Sequence, residues 1–182
     1  NDQIKGVADR FATLGYRALA PDLYKGKVTL DAAEAGHLMT SLNFGDAATQ
    51  DIRGAAQYLK QTSPKAGVVG FCMGGALTVV SAMYVKEADA CSSWYGFPPD
   101  EAGDVKQIRI PLQLHFAEDD AAFAPERAKA LEAKLREGRA SFESYWYKAG
   151  HAFGNETGQN YNAECAKLAW ERTTNFFGKH LH

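Results

Sequence analysis

Apolar residues fall at Ile4, Val7, Ala8, Phe11, Ala12 and Leu14, three and four apart, which predicts an amphipathic helix over residues 1–14 closed by Gly15. The next run, Tyr16-Arg17-Ala18-Leu19-Ala20, reads as a short strand stopped by Pro21, with a loop from Asp22 to Thr29 behind it. A short helix follows over 31–42. A longer one spans 46–61, with Asp46 as N-cap and Ile52, Ala55, Ala56 and Leu59 turned inward. Ala66-Gly67-Val68-Val69-Gly70-Phe71 is then a continuous apolar run of strand length, and the spacing switches to helical through Leu77, Val80, Met83 and Tyr84 over 74–85.

The same beat continues to the end of the chain. Strands are predicted over 90–95, 112–117 and 142–147, and helices from Pro125 to Arg136 and from Ala163 to Phe177. Strands alternating with helices predict an α/β fold in which a parallel sheet carries helices on both faces. The longest structureless pieces, 97–109 and 148–160, follow strands at the end where such sheets hold their ligands.

Composition narrows the picture. A chain of 182 residues and 19.8 kDa suits one domain, here 1–182, with enough length to bury a substantial core. Hydrophobic residues at 46% and charged ones at 23% are globular values and exclude a disordered tail or a simple coiled coil. Twenty basic against 22 acidic side chains leave a formal charge of −2, so no sequence-wide positive field exists to hold nucleic acid. No apolar stretch is long enough to span a membrane, and no secretory leader pattern opens the chain. Cys72, Cys91 and Cys165 are too few and too scattered for a disulfide framework, which points to a reducing, cytoplasmic setting.

The candidate chemistry centres on Gly70-Phe71-Cys72-Met73-Gly74-Gly75, a strand-turn-helix with a nucleophilic residue at its apex and glycines two positions to either side. It resembles the G-x-S-x-G nucleophile elbow with sulfur in place of oxygen. A sharp turn imposes strained dihedrals on the apex and leaves no room for side chains at the flanking positions. In return the thiol stands at a helix N-terminus, where dipole and free amides favour the thiolate, and the Met73 N–H is placed to donate to an oxyanion. On its own the hexapeptide reads equally well as an ordinary βα turn around a small buried cysteine, so partners decide.

A thiol nucleophile needs a base, and the base an orienting carboxylate. His151, in Ala149-Gly150-His151-Ala152-Phe153-Gly154, follows a predicted strand and precedes the last helix, the expected place for the base in the order nucleophile, acid, histidine. His115 lies inside a strand and reads as a packed core histidine. The acid belongs to the loop after the 112–117 strand, where Glu118, Asp119 and Asp120 compete; like-charge repulsion leaves one of them for His151.

Together these pieces identify the chain as resembling the dienelactone hydrolase family of α/β-hydrolases. The matching segments are Ala18-Leu19-Ala20-Pro21-Asp22-Leu23-Tyr24, the GFCMGG elbow, Trp94-Tyr95-Gly96, the acidic loop before the 125 helix, and Gly150-His151-Ala152-Phe153, spanning nearly the whole sequence. The resemblance implies an α/β-hydrolase fold with a mostly parallel sheet, and a triad of Cys72, Asp120 and His151, with Asp119 as the second choice for the acid. It implies hydrolysis of an ester or lactone through an acyl-thioester, with no metal or organic cofactor. Tyr95 and Phe153 become candidate substrate contacts, although Tyr95 reads equally well as a core aromatic.

Two departures from the family pattern stand out. Its members carry strands ahead of the opening helix, bearing a glutamate beside the resting cysteine and a backbone N–H that completes the oxyanion hole. This sequence begins at that helix and reads as an N-terminally truncated, monomeric copy unless another chain supplies those strands. Family members also hold a substrate carboxylate with arginines, one just past the histidine, where this chain has Ala152-Phe153-Gly154-Asn155-Glu156. Lys25 or Lys27 is a candidate replacement. The competing readings are a non-catalytic α/β-hydrolase-like binding domain and a thiol redox protein that brings Cys91 or Cys165 to Cys72 in space.

Overall fold

A computed structural model describes residues 2–182. Its centre is a four-stranded parallel sheet in the order β1 (Gly67–Phe71), β2 (Ala90–Trp94), β3 (Leu112–Asp119) and β4 (Phe142–Gly150). Around it lie α1 (Asp2–Thr13), α2 (Ala32–Thr40), α3 (Phe44–Asp46), α4 (Arg53–Lys60), α5 (Met73–Tyr84), α6 (Pro125–Glu137) and α7 (Ala163–Leu181). A π-helical stretch, Ala47–Ile52, joins α3 to α4.

The period-two alternation of the strands sorts side chains to two faces. Leu112, Leu114 and Phe116 of β3 pack with Ala56 of α4, Val79 and Ala82 of α5, and Ala128, Leu131 and Leu135 of α6. On the opposite face α1 and α7 meet through Val7, Phe11, Phe176 and Phe177, with Val69 and Phe71 of β1 beneath them. The α/β architecture with helices on both faces is therefore as the alternation predicts.

Under α7 the intervening residues of β2 and β3 form a buried polar layer. Ser92 Oγ donates to Gln113 Oε1 at 2.8 Å, and the Gln113 amide donates to Glu143 and to the Arg172 carbonyl. Gln113 Oε1 is thus the acceptor for His115 Nε2–H at 2.8 Å, and His115 Nδ1 accepts from the Tyr147 hydroxyl at 2.8 Å. Thr173 Oγ1 of α7 stands 3.0 Å from His115 Nε2 and accepts from Trp94 Nε1 at 3.1 Å. Full burial holds the His115 imidazole neutral, with its pKa lowered to about 3. It is the core histidine that its place in a strand implies.

Two expectations are corrected. Residues 16–20 form no strand: Arg17 to Leu19 and Ala20 are exposed, and a strand exists only where its backbone groups join a ladder, which this segment does not. The cap of the 44–60 helical run is Asn43, whose side chain accepts from the Asp46 N–H at 3.1 Å, so Asp46 lies inside the first turn. Of the four residues expected to face inward from that run, Ala56 is buried and Ile52, Ala55 and Leu59 are half-buried.

Candidate active site

The carboxyl ends of β1, β3 and β4 converge on one rim of the sheet. Cys72 follows β1, and its N–H donates to the Trp94 carbonyl at 3.0 Å, continuing the β1–β2 ladder by one residue. Its backbone then turns sharply, with φ 56° and ψ −118°, and α5 begins at Met73. For a residue with a Cβ this is strained geometry, costing about 1–3 kcal/mol that the surrounding packing must hold.

Sterics explain the glycines, with one correction. A Cβ at Gly70 would strike the Gly74 carbonyl, and one at Gly96 would strike the Cys72 carbonyl. At Gly74 nothing lies within 4 Å of such an atom. The elbow therefore needs Gly70 on the strand side, while its further close approaches come from Gly75, against the Trp94 carbonyl, and from Gly96 after β2 rather than from Gly74.

Strand register brings the acid and the imidazole together. Ala117 pairs with Tyr147, but Asp119 pairs with Gly150, so β4 inserts one extra residue at the end of the ladder. The next residue on each strand is Asp120 and His151. His151 Nδ1 lies 3.0 Å from Asp120 Oδ2, and His151 Nε2 lies 3.1 Å from Cys72 Sγ. Of the three competing carboxylates, Glu118 and Asp119 are exposed and Asp120 is 5% exposed. The other oxygen of Asp120 accepts from the Ala122 and Phe123 N–H groups, each at 2.8 Å.

The His151 ring is confined on several sides. Phe123 stacks on it with centroids 5.5 Å apart and planes 22° apart, and Tyr95 meets it edge-on at 5.5 Å. Its backbone carbonyl accepts from Asn160 Nδ2 at 3.0 Å, which ties the 151–162 loop back on itself. The hydrogen bond to Cys72 raises the His151 pKa most, partial burial opposes it and Asp120 adds to it, so the group rises from 6.5 to about 9. The imidazolium is thus favoured beside a sulfur at a helix N-terminus, an arrangement suited to a thiolate–imidazolium pair.

Tyr95 and Phe153 take a different place from the substrate contacts first expected. They are 2% and 0% exposed, and Phe153 sits among Trp94, Tyr95 and Tyr147 with centroid distances of 6.0, 5.2 and 4.8 Å. Packed this way Tyr95 abuts the His151 ring, and Phe153, two residues further along the same loop, backs Tyr95. Lys25 and Lys27 are exposed on the 22–29 loop. Sequence reasoning missed Phe123 and the two amides on Asp120, although an Asp followed by residues two and three further on is the spacing of a side-chain-to-backbone turn.

Residues 1–181 match the model of the dienelactone hydrolase family. The chain belongs to that family. It is 33% identical to Protein usf of Aquifex pyrophilus over 98% of this chain and 81% of that protein. It is 29% identical to a candidate carboxymethylenebutenolidase of Aquifex aeolicus, with the same two coverages. Among solved structures, the dienelactone hydrolase-like promiscuous phosphotriesterase P91 from metagenomic libraries superposes with a TM-score of 0.84 at 26% identity, covering 100% of this chain and 82% of that one. This family member is a hydrolase of the dienelactone hydrolase type with an α/β-hydrolase fold. No helix among its described residues is long and apolar enough to cross a membrane.

Proposed function

We propose that the chain hydrolyses a small carboxylic ester or lactone through an acyl-thioester on Cys72, with His151 as the proton carrier and Asp120 as its orienting carboxylate. The observation that carries this reading is the unbroken relay from Asp120 Oδ2 to His151 Nδ1 at 3.0 Å and from His151 Nε2 to Cys72 Sγ at 3.1 Å. A lactone is favoured as substrate because the Aquifex aeolicus relative carries a carboxymethylenebutenolidase name.

In the first half-reaction the Cys72 thiolate attacks the carbonyl carbon, and the electron pair moves onto the carbonyl oxygen, which receives the Met73 N–H. The tetrahedral adduct collapses as His151 Nε2–H gives its proton to the departing alkoxide, leaving a thioester and a neutral imidazole. Water then attacks the thioester while His151 takes its proton. Collapse expels the thiolate, restores the imidazolium and releases the acid. Asp120, itself fixed by two amides, keeps Nδ1 protonated so that Nε2 faces the sulfur. Tyr95 and Phe123 hold the ring in that orientation by packing, and Phe153 backs Tyr95.

The test is release of p-nitrophenolate from p-nitrophenyl acetate, read with the unmodified protein, after iodoacetamide treatment, and with Cys72→Ala and His151→Ala. Turnover lost on alkylation and reduced more than about 10³-fold in both variants is the expected result. An unmodified, folded protein that releases no product overturns the reading and favours a binding domain. Turnover of peroxide in its place favours the thiol redox reading.

A further inference from the structure

Tyr24 belongs to a segment with no helix or strand, yet its side chain is held against the first turn of α5. Asp22 builds the turn that presents it: Asp22 Oδ1 accepts from the Tyr24 N–H at 3.0 Å and Oδ2 from the Gly26 N–H at 2.7 Å. Lys25 and Gly26 follow in the left-handed region with φ 54° and 86°. Leu23 packs beside Leu77, Val80 and Met73, anchoring the turn on α5. The half-buried Tyr24 ring thereby brings its hydroxyl 3.5 Å from Met73 Sδ.

A thioether is a weak acceptor for a phenolic O–H. An anionic oxygen formed on the neighbouring residue is a far stronger one, and that neighbour is Cys72. We propose that the Tyr24 hydroxyl is a side-chain donor to the oxyanion formed on the substrate bound to Cys72, acting beside the Met73 N–H. The proposal rests on the thioester mechanism above and adds a catalytic group to it.

No bond to Tyr24 is made or broken in the step. Negative charge leaves sulfur for the carbonyl oxygen, and the phenolic O–H exchanges the Met73 thioether for that oxygen while keeping its proton. Burial first, and then the facing Cys72 thiolate, hold the Tyr24 pKa above its usual value, so the phenol remains a donor at neutral pH. As the charge moves outward from sulfur the hydroxyl gains a partner, which makes its interaction stronger in the transition state than in the resting enzyme.

Tyr24→Phe removes the hydroxyl and keeps the ring. Two reactions of the same sulfur separate its roles: acylation by p-nitrophenyl acetate creates an oxyanion, whereas alkylation by iodoacetamide, a displacement at a saturated carbon, creates none. The expected result is a fall of about 10²-fold in kcat/KM for the ester, carried by kcat, with the alkylation rate unchanged within about twofold. A trifluoromethyl ketone, whose adduct on Cys72 bears the same oxyanion, is expected to bind the variant more weakly by a similar factor. The same ketone gives a reading without substitution: adduct formation on the unsubstituted protein is expected to raise the Tyr24 ionisation midpoint, followed by ultraviolet titration.

Ester turnover by Tyr24→Phe within about threefold of the unsubstituted protein overturns the proposal while leaving the thioester mechanism standing. Equal losses in acylation and alkylation also overturn it, since they mark a packing role. An unsubstituted protein with no ester turnover overturns the mechanism itself and this proposal with it.

Discussion

At the level of single residues, what distinguishes Asp120 from its neighbours is burial and amide contact rather than charge. Glu118 and Asp119 precede it at the end of β3 but lie exposed, so their carboxylates are hydrated and screened. Asp120 has both oxygens engaged, one by two amides and one by His151. Asp120→Asn is therefore expected to lower kcat/KM by about 10²–10⁴-fold, because an amide in this position favours the wrong imidazole tautomer. Asp119→Asn is expected to stay within about twofold of the unsubstituted enzyme, and steady-state ester kinetics on the pair decide between them. From sequence, the elbow glycine Gly70, Cys72 and His151 could be read directly, since a strand-turn-helix and the chain order of base and nucleophile leave marks in composition. The choice among three adjacent carboxylates left no such mark, and Asp120 came forward only through the family resemblance. That choice depends on an extra residue in β4, and strand register is a property of two segments far apart in the chain.

Among the elements, the strands with continuous apolar runs and the helices with clear three-and-four spacing were legible to within a few residues. The failures share a cause. Residues 16–20 have strand-like composition, but a strand is a relation between backbones and composition cannot supply the neighbour. Of the layer beneath α7 only His115 was legible, as a core histidine, because Ser92 and Gln113 read individually as interruptions of apolar strands. Joined to Thr173, Trp94 and Tyr147 they satisfy one another. Thr173→Val keeps the shape of the side chain and removes the oxygen that meets the Trp94 indole N–H. It is expected to cost about 1–3 kcal/mol in urea unfolding. Since Trp94 and Tyr147 also pack against Phe153, and Phe153 anchors the loop that carries His151, this variant is expected to lose some ester turnover even at temperatures where it is folded.

For the molecule as a whole, the site couples stability to pH. His151 has its pKa raised from 6.5 to about 9 in the folded protein, so its interaction with Cys72 and Asp120 contributes fully to stability below about 6.5 and is lost as pH rises through about 9. The difference in unfolding midpoint between the unsubstituted protein and His151→Gln is expected to be largest at about pH 6 and to shrink towards pH 10; a difference that stays constant over that range contradicts the assignment. The same site also sets an order in time. Sulfur, carboxylate and imidazole enter from the ends of β1, β3 and β4, so a ribosome that has delivered the chain as far as Gly150 has made the first two and not the ring that joins them. The nascent polypeptide carries its thiol without a proton partner until residue 151 has been made, and the relay needs β4 seated on the sheet.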